Sequence, residues 1–511
     1  MISKSVSLKL YQVIFLASVA YLPVFFVNGI LWDDYTVSGL VSFETLKTMF
    51  TDNGVYKVGV AHFHHFLNTI NGETVFISRL FSFLFLINLS VLFYVLIKKI
   101  IENETLVFLS TVTFICLPFF GSCFAQIVLP YIICFNLFFA GLILLIEYLK
   151  NNQVKNLALY FVLLLVSFIT NSFIFFIVPC VIVIWFLLKK DFKKDRVNAI
   201  LIVATTSLAI LFFMMFKHFF MGVNPNSIYA NYNKITFSRL LIDGPIKTIS
   251  HIPKSFVLFL LFTWDVLKQI QNILFVLILF VLIYVFVKNI KWQTISFKFY
   301  GIGIVISLLL MFSGIFPYAV VGKVSPNFYD YSNRYDMLLA IGFSIFLSLN
   351  TLFFIKNEKF FKLVSSLILS VFIVSKACVF VNYYYNVKLQ DKFYSTYLVN
   401  LDRSRSYLIY DKDFVNLNWR FYEIGGLLRE KKSTQNILFI QGKSKFYDGK
   451  AVNTELIKKY TQTDFFSINS FDVNNFQIKT IDIDFKQKIN LIDFIGIAIL
   501  NKEIEFKVKE L

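Results

Sequence analysis

The chain has 511 residues, of which 57% are hydrophobic and only 16% are charged, and its net charge is +18. A typical soluble domain is about 45–50% apolar and about 25% charged, whereas the mean hydropathy of this chain is +0.69. These values exclude a disordered chain, a collagen-like chain and an ordinary soluble enzyme, and they indicate helices that are solvated by lipid.

Apolar runs of membrane-spanning length recur up to residue 381, and each predicts one transmembrane helix. The first run follows Lys4 and Lys9 and resembles a signal peptide, but it continues well past Ala20, which favours an uncleaved span. The expected fold class is mainly α, a polytopic transmembrane bundle of about eleven helices. The predicted spans are 10–31, 80–97, 105–120, 127–148, 157–171, 173–188, 197–216, 269–287, 299–317, 336–355 and 362–381.

The basic residues of the membrane part gather in one set of connections. Clusters such as Lys98-Lys99, Lys189-Lys190 and Lys193-Lys194 alternate with connections that carry few of them. Positive charge marks the cytoplasmic side of a membrane protein, so this set and the N-terminus are expected to be cytoplasmic. The basic excess is then a topology signal, and nucleic acid is not expected as a partner.

The opposite face receives the longer and more polar connections, 32–79, 217–268 and 318–335. Segment 256–268 is apolar but short, with Asp265 near its end; if it spanned alone, the lysine-rich connection after it would move to the other side. We therefore expect an interfacial or re-entrant segment there. Lys376, near the end of the last span, is expected to reach the outer interface with its ammonium group.

The composition changes after residue 381. Tyr383-Tyr384-Tyr385 is typical of an interfacial aromatic belt. The sequence therefore divides into a transmembrane domain, 1–381, and a small soluble α/β or β-rich domain, 382–511, on the outer face. Within the second domain, 436–441 and 478–485 are strand-like and 419–431 is predicted to be a helix.

Adjacent carboxylates stand where the first helix leaves the membrane, in the sequence Trp32-Asp33-Asp34-Tyr35. Charge near a bilayer is costly and is usually placed for a function, and a carboxylate in a partly apolar crevice can act as a general base. The alternative is that both residues simply mark the end of the helix in water.

A second candidate is the outer loop that contains Gly322-Lys323 and then Tyr331-Ser332-Asn333-Arg334-Tyr335. The planar fork of an arginine suits a phosphate, and a lysine adds a point charge. Arg334 could equally be an interfacial anchor.

The third candidate is His62-Phe63-His64-His65. Imidazoles can bind a metal, but only two other histidines exist, and the five cysteines have no CxxC spacing. Hydrogen bonding to a substrate, or a purely structural role, is favoured over a metal site. Glu73 and Arg79 close the same loop. The chain also has no P-loop, dinucleotide fingerprint, HExxH or GxSxG, which argues against a nucleotide-driven pump.

A first helix that ends in a carboxylate pair, a large first outer loop and about eleven spans together resemble the GT-C superfamily of integral membrane glycosyltransferases. Within it, the Phe316-Pro317-Tyr318 and Gly322-Lys323 loop and the sequence from Trp419 to Glu430 are similar to bacterial O-antigen glucosyltransferases of the GtrII type. The resemblance implies a multi-pass protein of the bacterial inner membrane, with its C-terminal domain in the periplasm. It also implies a polyprenyl-phosphate sugar as donor, and lipopolysaccharide or another surface glycan as acceptor.

Carried onto this sequence, the resemblance implies that Asp33 or Asp34 is the general base. Arg334 and Lys323, with Arg79 behind them, would stabilise the leaving phosphate. A later acidic residue would come from Asp243, Asp265 or Asp330; no cofactor is implied, and a divalent metal stays open. The residues expected to contact the sugar or the acceptor are His62, His64, His65, Tyr35 and Tyr331.

Two other functions compete with sugar transfer. A polymerase or ligase of lipid-linked glycans would need the same cations, although such enzymes tend to have more arginines in their outer loops. A flippase for lipid-linked sugars would show an internal repeat and polar groups near the midplane of the membrane, and neither is found in the sequence.

Overall fold

The chain is described by a computed structural model, in which seventeen helices and four strands lie within the described residues. Those residues are 10–38, 41–52, 57–71, 75–188, 195–220, 235–288, 290, 292–323, 328, 331–411, 419, 421–441, 452–455, 457, 471–472, 474–485, 490–500 and 502–511. Glu73 and Asp330 and the side chain of Tyr331 fall outside them.

The membrane part consists of fifteen helices, three of them short helices in the first outer loop (α2–α4). They are α1 Leu10–Tyr21, α2 Asp34–Val37, α3 Phe43–Asp52, α4 Lys57–Asn71, α5 Phe76–Ile100, α6 Glu104–Cys116, α7 Leu129–Asn151, α8 Val154–Ser167, α9 Ser172–Leu187, α10 Arg196–Phe220, α11 Gly244–Leu267, α12 Ile270–Val287, α13 Phe297–Val320, α14 Leu339–Phe354 and α15 Glu358–Thr396. The C-terminal part adds α16 Phe421–Glu430 and α17 Leu491–Ala498.

Seven of the described helices are long and apolar enough to cross a membrane, and there are eight if α6 and the bent segment after it count as one span. Each of the eleven predicted spans coincides with an apolar helix, but four of these helices have only 10–17 residues, and α6 with 13 reaches spanning length only together with the bent segment after it. The helices indicate a membrane protein. The length and composition of these helices do not establish all eleven predicted spans.

The lysine-rich connections meet at one end of the bundle. Lys99 pairs with Glu147, and the ammonium of Lys150 donates to the carbonyl of Lys99 at 3.1 Å. The ammonium of Lys362 likewise donates to the carbonyl of Lys288 at 2.7 Å. We call this the lysine end, and we call the opposite end, which contacts the C-terminal sheet, the domain end.

Helix α11 is longer than the predicted segment 256–268, and both of its ends lie at the domain end. At its start, Gly244 packs against Val320, where α13 finishes. Just after its last turn, Asn272 donates to the carbonyl of Val266 and accepts from the backbone N–H of Leu491 in the C-terminal part. A helix with these contacts lies across the domain end, although its length and composition alone would allow a crossing.

Helix α6, which lies in the third predicted span, is broken at Leu117-Pro118, because proline has no N–H to continue the helix. The break leaves carbonyl groups of α6 without helical partners, and Lys376 on α15 donates to one of them, that of Ile115. The Lys376 ammonium also lies 3.4 Å from the centre of the Tyr21 ring. Lys376 is fully buried, so the expectation that it reaches the outer interface is wrong.

The boundary predicted at 381/382 falls inside a helix, since α15 continues to Thr396 and enters the C-terminal domain without a linker. That domain is a four-stranded sheet in the order β2-β1-β3-β4. Strand β1 is parallel to β2 and to β3, and β3 is antiparallel to β4. The strands are β1 Ser406–Asp411, β2 Asn436–Gln441, β3 Phe476–Phe485 and β4 Phe506–Glu510.

The sheet packs on the extended end of α15, so the two parts share one core. Phe393 of α15 contacts Phe439 of β2, and Leu389 lies in the same buried cluster. Helix α16 connects β1 to β2 and covers the same face, as expected for a crossover between parallel strands. The α/β interpretation of this domain is therefore confirmed.

Candidate functional site

The candidate site begins at a strained turn directly before the carboxylate pair. Trp32 has a φ of 53°, which is unfavourable for a bulky residue. Its backbone N–H donates to Glu423 of α16 at 3.1 Å. Its ring packs edge-on against Tyr383, with the ring centres 4.7 Å apart. Strain held in this way is commonly found at functional sites, and here it determines where the next residue, Asp33, projects.

Asp34 is fully engaged by the protein. Its two oxygens accept from the backbone N–H groups of Gln126 and Ile127 at 3.0 and 2.9 Å, and it lies 3.5 Å from Arg79. Burial raises the pKa of Asp34, while Arg79 and the two N–H donors act in the opposite direction. The carboxylate is 1% exposed. It fastens the first outer loop to the Gln126–Val128 turn, away from the exposed side of the site.

Arg79 is equally occupied. Its guanidinium donates to the carbonyls of Val27, Phe124 and Gly29, and it is 1% exposed. These contacts give Arg79 a structural role, and its placement behind a leaving phosphate stays a prediction. Arg79 and Asp34 form a buried ion pair that holds the end of the first helix against α5.

Asp33 points the other way, towards the second predicted loop. Its Oδ2 lies 3.3 Å from Nη1 of Arg334, across 301 positions of sequence. The side chains of Asp33 and Arg334 are 23% and 15% exposed, so the pair is accessible from outside the bundle. Two of the sequence candidates, one acidic and one basic, are thus brought together at the domain end.

Lys323 joins this pair through a defined helix end. Gly322 has a φ of 74°, and the N–H of Lys323 donates to the carbonyl of Tyr318 at 2.9 Å. This is the glycine-terminated turn that commonly ends a helix. It directs the Lys323 ammonium over the ring of Tyr335, 5.7 Å from the ring centre. Burial lowers the pKa of Lys323. The charge of Arg334 lowers this pKa further, and the charge of Asp33 raises it.

Aromatic rings form the walls around these cations. The Arg334 guanidinium lies 5.2 Å from the centre of the Tyr335 ring and donates to its hydroxyl at 3.2 Å. The rings of Tyr318 and Tyr335 are 5.1 Å apart, and the Tyr318 hydroxyl donates to Ser172 at the start of α9 at 3.3 Å. The site therefore lies among the domain-side ends of α9 and α13 and the Tyr331–Asp336 turn.

Two neighbours fix the turn that carries Arg334. Asn333 donates to the carbonyl of Pro118 and accepts from the N–H of Gly121, both at 3.1 Å. Asp336 is fully buried and lies 3.3 Å from His251 of α11. Burial raises the pKa of Asp336, and His251 opposes that rise. The turn is thus anchored on both sides of Arg334.

Tyr35 lies in the contact between the first outer loop and α16. It is 1% exposed, and its hydroxyl donates to Gln390 at 3.1 Å. Gly426 packs so closely on the Tyr35 ring that a side chain at that position would overlap it. Tyr35 therefore joins the two domains, and the prediction that it contacts substrate is not supported.

The histidine cluster belongs to the packing of α3 against α4. His64 is fully buried and stacks on Phe50, with the ring centres 5.5 Å apart. Burial lowers the pKa of His64 to about 3, so its ring is neutral. His62 and His65 are exposed on α4, and both contact the ring of Phe43. The prediction that these residues bind sugar or acceptor finds support only in the exposure of His62 and His65.

Sequence reasoning missed Glu423, Tyr335 and the Asp336–His251 pair. Tyr335 and Asp336 directly follow Arg334, and Glu423 lies in the Trp419–Glu430 stretch. Their closeness in sequence to these motifs was the signal that could have identified them as site residues. Of the other acids considered, Asp265 is exposed beside Lys268, and Asp243 accepts from Ser238. Among the described residues, no three His, Cys, Asp or Glu side chains are arranged as they would be around a metal ion.

Comparison with protein-family models and with curated proteins finds no match for this sequence. The fold and the site by themselves define a mainly helical membrane protein with a cluster of one carboxylate and two cationic side chains at one end of its bundle. Chemically, the cluster offers one accessible carboxylate, Asp33, beside two cations, Arg334 and Lys323. That set can accept a proton and can neutralise an anionic group.

Proposed function

We propose that the protein is a membrane glycosyltransferase of the GT-C kind, which moves a sugar, such as a hexose, from a polyprenyl-phosphate donor to a surface glycan such as the O-antigen of lipopolysaccharide. The observation that carries the proposal is the convergence of Asp33, Arg334 and Lys323 at the domain end of an apolar bundle. Such a site can hold a lipid-linked phosphate at the membrane surface, with its isoprenoid chain among the helices.

The proposed reaction is one substitution at the anomeric carbon. Asp33 removes the proton of an acceptor hydroxyl while the oxygen of that hydroxyl attacks the carbon. The bond between the anomeric carbon and the phosphate oxygen breaks, and its electron pair leaves with the polyprenyl phosphate. Negative charge grows on that phosphate in the transition state, so the neighbouring Arg334 and Lys323 lower the barrier.

The apolar part of the bundle favours a lipid donor. An apolar cavity of about 1110 Å³ lies between α9 and α13, and its lining extends to Lys298 near the lysine end. These two helices also carry Ser172 and Tyr318 at the site. An isoprenoid chain whose phosphate lies against Arg334 could descend between the same helices, whereas a nucleotide would gain nothing from such a surface.

The proposal places the domain end in the periplasm and the lysine end in the cytoplasm of a bacterial inner membrane. All five cysteines are buried, so an impermeant maleimide can report introduced cysteines in intact spheroplasts. Arg403→Cys, in the exposed loop before β1, should react, and Lys155→Cys, at the lysine end, should react only after lysis. The reverse pattern would exclude a periplasmic site.

The activity test is an assay in membranes with radiolabelled polyprenyl-phosphate glucose and lipopolysaccharide. We expect transfer without a nucleotide sugar, and its loss in Asp33→Asn. Asp402→Asn is a matched control, because Asp402 is an exposed acid in an ion pair with Arg405 outside the site. Transfer that requires a nucleotide sugar would overturn the proposal. Transfer of whole glycan units would favour the polymerase or ligase alternative, and movement of the donor across the membrane without transfer would favour a flippase.

A further inference from the structure

Helix α17 of the C-terminal domain and the two residues that follow it expose four large apolar side chains. Ile492, Ile495, Ile499 and Leu500 are 44%, 37%, 69% and 74% exposed. The first three are spaced as residues on one face of a helix. A soluble domain standing clear of the membrane would bury or replace such a face.

The opposite face of α17 is firmly packed. Phe494 contacts Phe26 and Tyr384 edge-on, with ring centres 5.1 Å apart in each case. The backbone N–H of Leu491, its first residue, donates to Asn272 at 3.1 Å. The helix is therefore held in place, and its outward face has a defined level relative to the bundle.

The contacts that hold α17 lie at the ends of apolar helices, on the domain end of the bundle. Phe26 finishes the first apolar segment, and Asn272 lies in the first turn of the candidate span α12. Both segments expose large apolar residues beside these contacts, Phe26 itself by 43% and Ile270 by 72%. The exposed face of α17 thus lies next to exposed apolar residues of two apolar segments of the bundle.

We propose that α17 lies in the membrane interface, with Ile495, Ile499 and Leu500 inserted among the upper acyl carbons of the bilayer. The charged residue that follows the helix, Lys502, is consistent with a position in the membrane interface. Lys502 is 64% exposed at the side chain and pairs with Asp493 at 3.5 Å, and a lysine in this position commonly extends its ammonium group towards the lipid headgroups. The helix would thereby anchor the sheet domain to the bilayer and keep it next to the crevice of Asp33. The inference does not depend on sugar transfer.

The test measures depth in the full-length protein. Leu500→Cys and the control Arg403→Cys are labelled with bimane and reconstituted in phosphatidylcholine–phosphatidylglycerol vesicles that carry nitroxides at the headgroup, at acyl carbon 5 or at acyl carbon 12. Tyr384, which contacts Phe494 of α17, lies twelve positions before the end of α15 at Thr396, so α15 extends roughly 18 Å beyond that contact before the loop that carries the control residue.

We expect the label at position 500 to be quenched several-fold more by the carbon-5 nitroxide than by the carbon-12 nitroxide, and the label at 403 by neither. Equal and weak quenching at both positions would overturn the proposal. Disulfide cross-linking between two copies of Leu500→Cys, with no quenching by lipid, would also overturn it and would assign the face to a second copy of the chain. Either result can be read whether or not the protein transfers sugar.

Discussion

The two adjacent carboxylates should respond in opposite ways to the same substitution. Asp33→Asn keeps the size of the side chain and removes the charge that we assign to proton transfer. Its ion pair with Arg334, with side chains 15% and 23% exposed, is less buried than the Asp34–Arg79 pair, so its loss should cost less stability than the loss of that fully buried pair. Removing a general base typically slows a reaction by about a hundred- to ten-thousand-fold, and transfer should fall by that factor.

Asp34→Asn should instead destabilise the fold. The amide that replaces the carboxylate has one acceptor oxygen for the N–H groups of Gln126 and Ile127, so one N–H would face an NH₂ group, which costs about 1–3 kcal/mol. Arg79 would keep a buried charge without its partner, and breaking a buried ion pair costs about 3–5 kcal/mol. We expect a clear drop in melting temperature and poor recovery from membranes.

Both variants are measured by the transfer assay and by thermal unfolding in detergent. A stable and inactive Asp33→Asn protein beside an unstable Asp34→Asn protein is the expected result. Undiminished transfer by Asp33→Asn would refute its role as base. A stable but inactive Asp34→Asn protein would show that the buried carboxylate takes part in the chemistry, and the argument from its contacts would fail.

Three further predictions concern charge, positioning and pH. Because burial lowers the pKa of Lys323, its charge is lost at a lower pH than that of a free lysine. The KM for the lipid donor should therefore rise at alkaline pH, and Lys323→Arg should remove that rise. Glu423→Ala should lower transfer because the N–H of Trp32 loses its acceptor, while Glu423→Gln, which keeps an acceptor oxygen, should restore most of it. His64 has a pKa of about 3 in the fold and about 6.5 when unfolded. Protons therefore favour the unfolded chain below pH 6.5, by about 2 kcal/mol at pH 5, and His64→Leu should unfold less readily in acid.

Each of these predictions has a contrary outcome. A donor KM that rises with pH equally in Lys323→Arg and in the parent protein would assign the titration to another group. Equal transfer by Glu423→Ala and the parent would mean that the Trp32 turn holds without its acceptor. An acid sensitivity of unfolding that His64→Leu leaves unchanged would mean that the imidazole is hydrated rather than buried.

Local patterns in the sequence predicted local structure well. Strand β2 has the predicted bounds, 436–441, and β3 begins two residues before the predicted 478. Helix α16 lies within the predicted 419–431. Alternating or periodic apolar residues decide these elements, because each buries one face against a neighbour. The lysines of the described connections, such as Lys150 and Lys362, also lie at a common end of the bundle, as predicted, since charge in loops is independent of how the helices pack.

The roles of single polar residues could not be predicted in this way. Asp33 and Asp34 are adjacent in sequence, and only partners far along the chain, Arg334 for one and the 126–127 backbone for the other, distinguish them. The tyrosines after residue 381 indicated a boundary at the membrane surface. They are instead buried, because α15 continues and α17 packs on Tyr384. Composition records which residues avoid water, but not whether lipid or protein covers them.

The sheet domain is best understood as part of the construction of the site rather than as an appended module. Glu423 accepts the N–H of Trp32 and, at 3.1 Å, the side-chain amide of Gln390 on α15, so one carboxylate ties the strained turn to the continuous helix. Arg429 of the same α16 reaches the carbonyl of Tyr35 at 3.4 Å. Removing the domain would release the backbone on both sides of Asp33. The position of the accessible carboxylate relative to Arg334 therefore depends on residues 419–430, which explains why that stretch carries polar side chains on a buried helix.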